Sequence, residues 1–577
     1  MPLSFKPSGN GFAFGLPDIQ PIENTIFGAF KPAVTAGLES DDYKVTRYDE
    51  LSVTLRYTKA GNPSGELTIA EGSPYLHYRA LAAQTVQLPT RLTKVSDTVY
   101  TLTTGGQTYA IHLPSGATIT GSSLSLPQDS TMAFYAVSKG MSASEMASYA
   151  GNPIRTVLVA YGMEDKTVQT TLKYETSNGQ PTLFAALPNQ QVNGAKALAG
   201  QYTSLYGTLK LYVGTSFSYK TTKVMPSNQL SLQDLSQAEK DKLIGHLRSE
   251  AAATMLQKTD SYFGGKELYR AANLYALAQQ LGQKDIAKDL HDKIQNDFAI
   301  WLDPKGSERG VNRYFYYDTT LKGLVAAQPS FGSEQFNDHH FHYGYFLYAA
   351  SVMARYDHSF QKTNKPFLDL IAADIASTVQ SQYFPQRRNF DPYFGHSWAS
   401  GNGKFGDGNN QESVSEAINA WNGVAMWAQA SGNSTLKNEA TWMLSREADA
   451  AEAYWLDVPA GQFPGYKHNI VALNWGGKRD FATFFSPDAN AMLGIQLIPM
   501  NPAMGFLKNE GSRITANITS ALPGGSYDKQ FGDYLLMYRS LVDKNGALPL
   551  AESLNTAYID DANSRTYMLA WILSQNK

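Results

Sequence analysis

The 577-residue sequence contains no cysteine, which excludes disulfides, thiolate nucleophiles and Cys-ligated zinc together. It has no apolar run of the roughly 18 residues that a membrane-spanning helix needs, so no membrane association is expected. Positive charge is nowhere concentrated: 48 basic residues stand against 51 acidic ones, a net charge of −3. Without a basic run there is no footprint for nucleic acid. No G-x-S-x-G elbow occurs, and the Gly-rich stretch at 401–408 lacks a Lys-Ser/Thr ending, so neither acyl transfer nor a P-loop has support. The opening "MPLSFKPSGNGFAFGLPDIQ" has no apolar h-region, so no signal peptide is expected within the numbered chain.

What is present fits a globular protein of two or three domains, with 43% hydrophobic and 17% charged residues. Up to about residue 226 the chain shows short alternating or β-branched runs, such as "LSVTLRYT", "DTVYTLTT" and "TVQTTLKYET", separated by turn residues. These predict an all-β sandwich. Beyond Pro226 the period becomes helical. Ser236 and Glu239 form a capping-box signature, and helical stretches follow, among them "GKELYRAANLYALAQQLG", "HYGYFLYAASVMARYD", "PFLDLIAADIASTVQSQY" and "ESVSEAINAWNGVAMWAQAS". All eight tryptophans lie in this later part. Some must be core, but a surplus beside polar, Gly-rich loops also suits a cleft in which pyranose faces stack on rings.

Three stretches could carry chemistry. "NDHHFHYGYF", residues 337–346, gathers an acid, three of the ten histidines and four other aromatic rings. Asp338 and His342 would share a face on a helix, or Asp338 could simply cap one. The histidine spacings leave His339–His342 as the only same-face pair, so a metal site would need a ligand from elsewhere, and none is expected. In "GDGNNQESVSEAINAWNG", residues 406–423, Glu412 and Glu416 are spaced i, i+4 and should project from one helix. Acids in a first helical turn can also be mere dipole partners on a solvated face, but Val414, Ile418 and Trp421 mark an apolar stripe there. Between the two lies the aromatic loop "QRRNFDPYFGHSWASGNGKFGDG", with Asp391, Tyr393, His396 and Trp398. Three acids bordered by aromatic loops suit glycoside hydrolysis, in which one carboxylic acid protonates the departing oxygen and a carboxylate activates water or attacks.

At "NDHHFHYGYFLYAA", "DPYFGHSWASG" and "GNNQESVSEAINAWNG" the sequence resembles glycoside hydrolase family 81, the endo-β-1,3-glucanases or laminarinases. Weaker echoes such as "SYFGGKELYRAANL", "NWGGKRDFATFF" and "LGIQLIPMNP" spread the resemblance over nearly the whole chain. It implies a multidomain α+β fold: a β-sandwich over 1–226, a small α/β linking region over 227–325 and an (α/α)6 barrel over 326–577. It further implies endo-acting hydrolysis of β-1,3-glucan by an inverting single displacement, without metal or cofactor, by an extracellular monomer. Carried onto this sequence, Asp338 is the general acid, accompanied by His342, and one of Glu412 and Glu416 is the base. The helix dipole favours Glu412, which is expected nearer the helix start. Asp338 must hold its proton near neutral pH, which calls for burial or nearby negative charge.

Sugar-binding candidates in the matching stretches are Tyr343, Tyr345, Asp391, Tyr393, His396, Trp398, Asn409, Gln411 and Trp475. The chain departs from the family at Phe484, where tryptophan is common, and in "SPDANAML" before "GIQLIPMNP". The competing readings are a polysaccharide lyase, which would need cations around a uronate and finds only Arg387 and Arg388 paired near the acids, and a non-catalytic glucan-binding protein.

Overall fold

A computed structural model describes residues 2–575. The chain divides into two compact units. The first comprises the residues through Thr221, with Asp391–Phe394 and Gln462–Tyr466. The second comprises Thr222–Phe390, Gly395–Gly461 and the residues from Lys467 on.

The first unit is built on antiparallel sheet. One six-stranded sheet runs in the order Ser4–Ser8, Gly11–Gly15, Val34–Gly37, Gln84–Gln87, Ser123–Leu126, Thr118–Thr120. An eight-stranded sheet runs Thr93–Lys94, Val99–Thr104, Gln107–His112, Thr131–Ala136, Tyr75–Ala80, Asn62–Ala70, Ser52–Lys59, Asp42–Tyr48. Two-residue periodicity explains how they meet, because alternate side chains of a strand share a face. Phe12 and Phe14 point the same way from one sheet and pack edge-on against Phe134 of the other, at 5.4 and 5.5 Å between ring centroids. A short helix, α1 (Ala143–Ala150), follows, started by a complete capping box of Ser142 and Glu145.

The second unit is mainly helical. Its longer helices are α2 (Gln237–Ala253), α3 (Ser261–Gln280), α4 (Lys284–Trp301), α5 (His339–Tyr356), α6 (His358–Ala376), α7 (Val414–Ser431) and α8 (Ser434–Tyr454). Shorter ones follow: α9 (Ala489–Gly494), α10 (Gly511–Ala521), α11 (Gly532–Arg539), α12 (Lys544–Ser553) and α13 (Arg565–Ser574). The Ser236–Glu239 capping box forms at the start of α2. Residues 312–327 make the hairpin Phe315–Asp318 with Gly323–Ala326. One boundary differs from the sequence pattern. Asp357 accepts the N–H groups of Ser359 and Phe360 and starts α6 ahead of Pro366, and the helix stops at Ala376, short of the expected "STVQSQY".

The core of this unit corrects the reading of its tryptophans. Trp301, Trp421, Trp427, Trp442, Trp455 and Trp571 are fully buried, so most of the surplus fills space between helices rather than lining a cleft. The tightest helix crossing is between α5 and α7. A Cβ added at Gly344 would lie 2.6 Å from the Ala420 Cα, and one at Gly423 would lie 2.8 Å from the Gly344 carbonyl oxygen. Only glycine admits so close an approach of two backbones. The N-terminal ends of these two helices carry the acids.

Candidate active site

Asp338 stands at the N-cap position of α5, yet its side chain makes no capping hydrogen bond. Its backbone is left-handed, with φ +53°, as is that of Phe336 at +62°. A non-glycine residue there is strained, and such strain persists where the surroundings over-determine it. Here the Asp338 N–H donates to the Ala399 carbonyl at 2.9 Å. Next to it, His339 Nε2 meets Asp374 Oδ2 at 2.5 Å, and Arg388 Nη2 donates to Asp374 Oδ1 at 2.7 Å. The aspartate is thus turned away from the helix end that a cap would serve.

The three histidines take three separate partners. Besides the His339–Asp374 contact, His340 Nε2 lies 2.9 Å from Ser397 Oγ, and His342 Nδ1 lies 2.8 Å from Ser261 Oγ. All three are buried, and burial lowers their basicity, that of His342 to about 3. They are buried, hydrogen-bonded struts at the start of α5.

The second cluster corrects another expectation. Ser413 is the N-cap of α7, so Glu412 precedes the helix and Glu416 sits in its first turn. The two do not project from one helix face, and the dipole argument made for Glu412 belongs to Glu416. Glu412 is half-buried, and its Oε1 accepts the Phe484 N–H at 2.8 Å. This is a main-chain contact, so it does not depend on phenylalanine rather than tryptophan at 484. Glu416 is buried, and Tyr345 Oη donates to its Oε1 at 2.7 Å.

All three acids line one cavity of about 350 Å³. Its apolar wall is mostly aromatic, with Tyr262, Phe263, Phe331, Phe341, Phe485 and Phe531 beside Ile495 and Ile498. Three further charged residues share it, Lys266, Asp560 and Asp561. Lys266 Nζ donates to Asp560 Oδ2 at 2.8 Å, with both side chains largely buried, and its ammonium lies 5.0 Å from the Tyr262 ring centroid. The electrostatics follow from crowding. Burial, then the charges of Glu416 and Glu412, hold the Asp338 carboxyl well above the ordinary carboxylate range. Burial also raises Glu412 to about 7 against the Phe484 hydrogen bond, with Glu416 adding to the rise. Glu416 is raised by burial too, but Lys266 and the Tyr345 hydroxyl oppose the rise.

The remaining candidates do not line this cavity. Tyr343 is buried and donates its hydroxyl to the Leu324 carbonyl at 2.6 Å. Gln411 is buried and donates to Ser397 Oγ at 2.7 Å, while Ser397 N–H donates to Glu447 Oε2 at 2.8 Å. His396 Nδ1 meets the Ser397 carbonyl oxygen at 2.9 Å, and Trp398 packs on the His396 ring. Asn409 clasps Ser400 through both amide atoms. Trp475 Nε1 donates to Asp480, and its ring meets Phe484 edge-on. Asp391 and Tyr393 fold with the sheet unit, where Asp391 Oδ1 accepts the Tyr393 N–H and Tyr393 Oη donates to the Ala185 carbonyl.

Sequence reasoning missed Lys266, Asp560, Asp561 and the buried Glu447, whose carboxyl burial raises to about 8. Lys266 and Asp560 lie 294 positions apart, beyond any local pattern. The one available signal was a lysine inside the apolar run "GGKELYRAANL".

A ring-walled cavity with several carboxylates, one of them pushed well above the ordinary range, suits a glycoside hydrolase. The comparisons with known proteins agree. The model of the glycosyl hydrolase family 81 C-terminal domain matches residues 234–573, and the chain belongs to that family. A glucan endo-1,3-beta-D-glucosidase of Acetivibrio thermocellus is 29% identical over 613 residues, spanning 99% of this chain and 77% of the relative. One from Glycine max is 26% identical, spanning 100% and 91%. A solved family 81 glycoside hydrolase from Clostridium thermocellum, a glutamate-to-alanine mutant, superposes with a TM-score of 0.90 at 27% identity, covering 99% of this chain and 83% of that one.

Proposed function

We propose that this protein cleaves internal linkages of β-1,3-glucan by a single inverting displacement, with Asp338 as general acid and Glu416 as general base. The observation that carries the reading is the shared cavity, in which a proton-holding Asp338 faces two glutamates, in a chain whose relatives are named glucan endo-1,3-beta-glucosidases. Asp338 gives its proton to the departing glycosidic oxygen while Glu416 takes one from the attacking water. The negative charge therefore moves from Glu416 to Asp338, and the number of carboxylates in the cavity stays constant through the step.

Glu416 is favoured as base because a base must be ionised. The first turn of α7 and the Lys266 ammonium both favour its anion, whereas Glu412 is raised to about 7. Glu412 orients the water or the sugar. His342 acts by holding the start of α5. We read the paired helices α3/α4, α5/α6, α7/α8 and α12/α13 as part of an (α/α)6 barrel, and the enzyme as a monomer acting on polymer outside the cell. Lysis of a uronate is disfavoured, because Lys266 is the sole cation lining the cavity among the described residues and it is paired with Asp560.

The test is hydrolysis of laminarin followed by NMR from the first minutes. The α-anomer of the new reducing ends is expected. Early β-anomer would indicate a covalent intermediate and overturn the mechanism, and no cleavage at all would overturn the function.

A further inference from the structure

We infer that the substrate groove continues past the Asp560–Asp561 wall into a second cavity, which binds further glucosyl residues of the same chain. The inference rests on the β-1,3-glucan reading above. This second cavity, about 340 Å³, shares Phe263, Asp560 and Asp561 with the acid-lined one. At the divide three rings meet: Tyr262 lies edge-on to Phe263 and to Phe331, each at 5.1 Å. Phe331, 56% exposed, presents its ring on the acid-lined side of that divide. Met255, 63% exposed, adds apolar surface in the second cavity.

The polar lining points to a neutral polyol. Glu250, Glu267, Asp560 and Asp561 outnumber Lys258 and Arg270 there, which disfavours an anionic ligand. Most of these groups are already engaged. Glu250 accepts the N–H groups of Arg565 and Thr566, Glu267 accepts those of Gln257 and Lys258, and Arg270 donates to the Asn563 carbonyl and Thr254 Oγ1. Lys258 and Asp561 are exposed and can meet hydroxyls, with the Lys258 ammonium 5.7 Å from the Phe263 ring centroid. Apolar faces beside exposed hydrogen-bonding tips are the surface that a pyranose ring recognises.

The experiment compares the enzyme with Lys258→Ala and Met255→Ala, at residues that line the second cavity alone, on a ladder of linear β-1,3-gluco-oligosaccharides, reading kcat/KM against chain length. Wild-type kcat/KM should rise with length. Each variant should lose about tenfold on the longest chains and little on the shortest, the worth of one hydrogen-bonded or stacked sugar. Equal loss at every length, or no loss at any, would overturn the second cavity as a subsite. Calorimetry in an Asp338→Asn background separates the two failures. If this parent binds long oligosaccharides and the added substitutions leave affinity unchanged, only the subsite is wrong. If the parent binds none, the glucan reading falls and the inference falls with it. Lys258→Arg, which keeps the charge and hydrogen-bonding capacity, should retain most of the affinity.

Discussion

Replacing Lys266 by methionine isolates the electrostatic part of the mechanism. The side chain is 4% exposed, and its ammonium lies 2.8 Å from Asp560 Oδ2 in the cavity that Glu416 lines. Two unit charges about 6 Å apart at an effective dielectric constant near 20 interact by roughly 3 kcal/mol, which corresponds to about two pH units. Screening by the remaining charges reduces this, so an upward move of about one unit is expected for the acidic limb of kcat/KM. That limb reports the base in the free enzyme. The groups facing Glu416 are Tyr345 from α5, Tyr262 and Lys266 from α3, Asp338 ahead of α5, Glu412 ahead of α7, and Asp560 and Asp561 from the loop before α13. Among them only Lys266 is cationic.

Methionine also strands Asp560 without its partner, a loss that costs about 3–5 kcal/mol when a buried pair is broken. The comparison is therefore made with Lys266→Met/Asp560→Asn, which removes both charges, and with Lys266→Arg, which restores the cation. A double variant that stays folded by circular dichroism, yet keeps the acidic limb where the wild type has it, would refute Glu416 as the base whose ionisation Lys266 supports.

Other outcomes follow from the same geometry. Asp338→Asn should lower kcat by at least about 10²–10⁴-fold, the usual worth of general acid catalysis, with KM little changed; steady-state kinetics on laminarin check this. Gly344→Ala places a methyl 2.6 Å from the Ala420 Cα, so it should cost about 1–3 kcal/mol by overpacking and lower the melting temperature in calorimetry. The buried Glu447, raised to about 8, and Asp533, raised to about 7, are held protonated by the fold. Their contribution is fully present below the ordinary carboxylate range and is lost as pH rises toward 7–8. The melting temperature should therefore fall across that window, and Glu447→Gln should flatten the fall.

The sequence carried the alternation of strands before Thr221 and the helical period after it, because both depend on neighbours a few positions apart. It also carried the residues that meet at the cavity, since Asp338, Glu412 and Glu416 sit in unusual local surroundings. It misjudged how Glu412 is presented: i, i+4 spacing aligns two side chains only if a helix runs through both, and α7 begins two residues after Glu412. The tryptophans misled because a bulky ring is equally at home in a core and in a cleft. The partnership of Lys266 with Asp560 was invisible for a different reason. It is made by tertiary folding alone, between α3 and a loop almost three hundred positions later.

The bare contact of Gly344 with Ala420 has a bearing on redesign. With no side chain on Gly344 and only a methyl on Ala420 there is little to lengthen or trim, so the spacing of α5 and α7, which carry the proposed acid and base at their starts, is set by main-chain contact. On the proposed mechanism, changing the stereochemical course would mean relocating a whole helix, and a library confined to residues around the cavity should keep yielding the same anomer at varied speed.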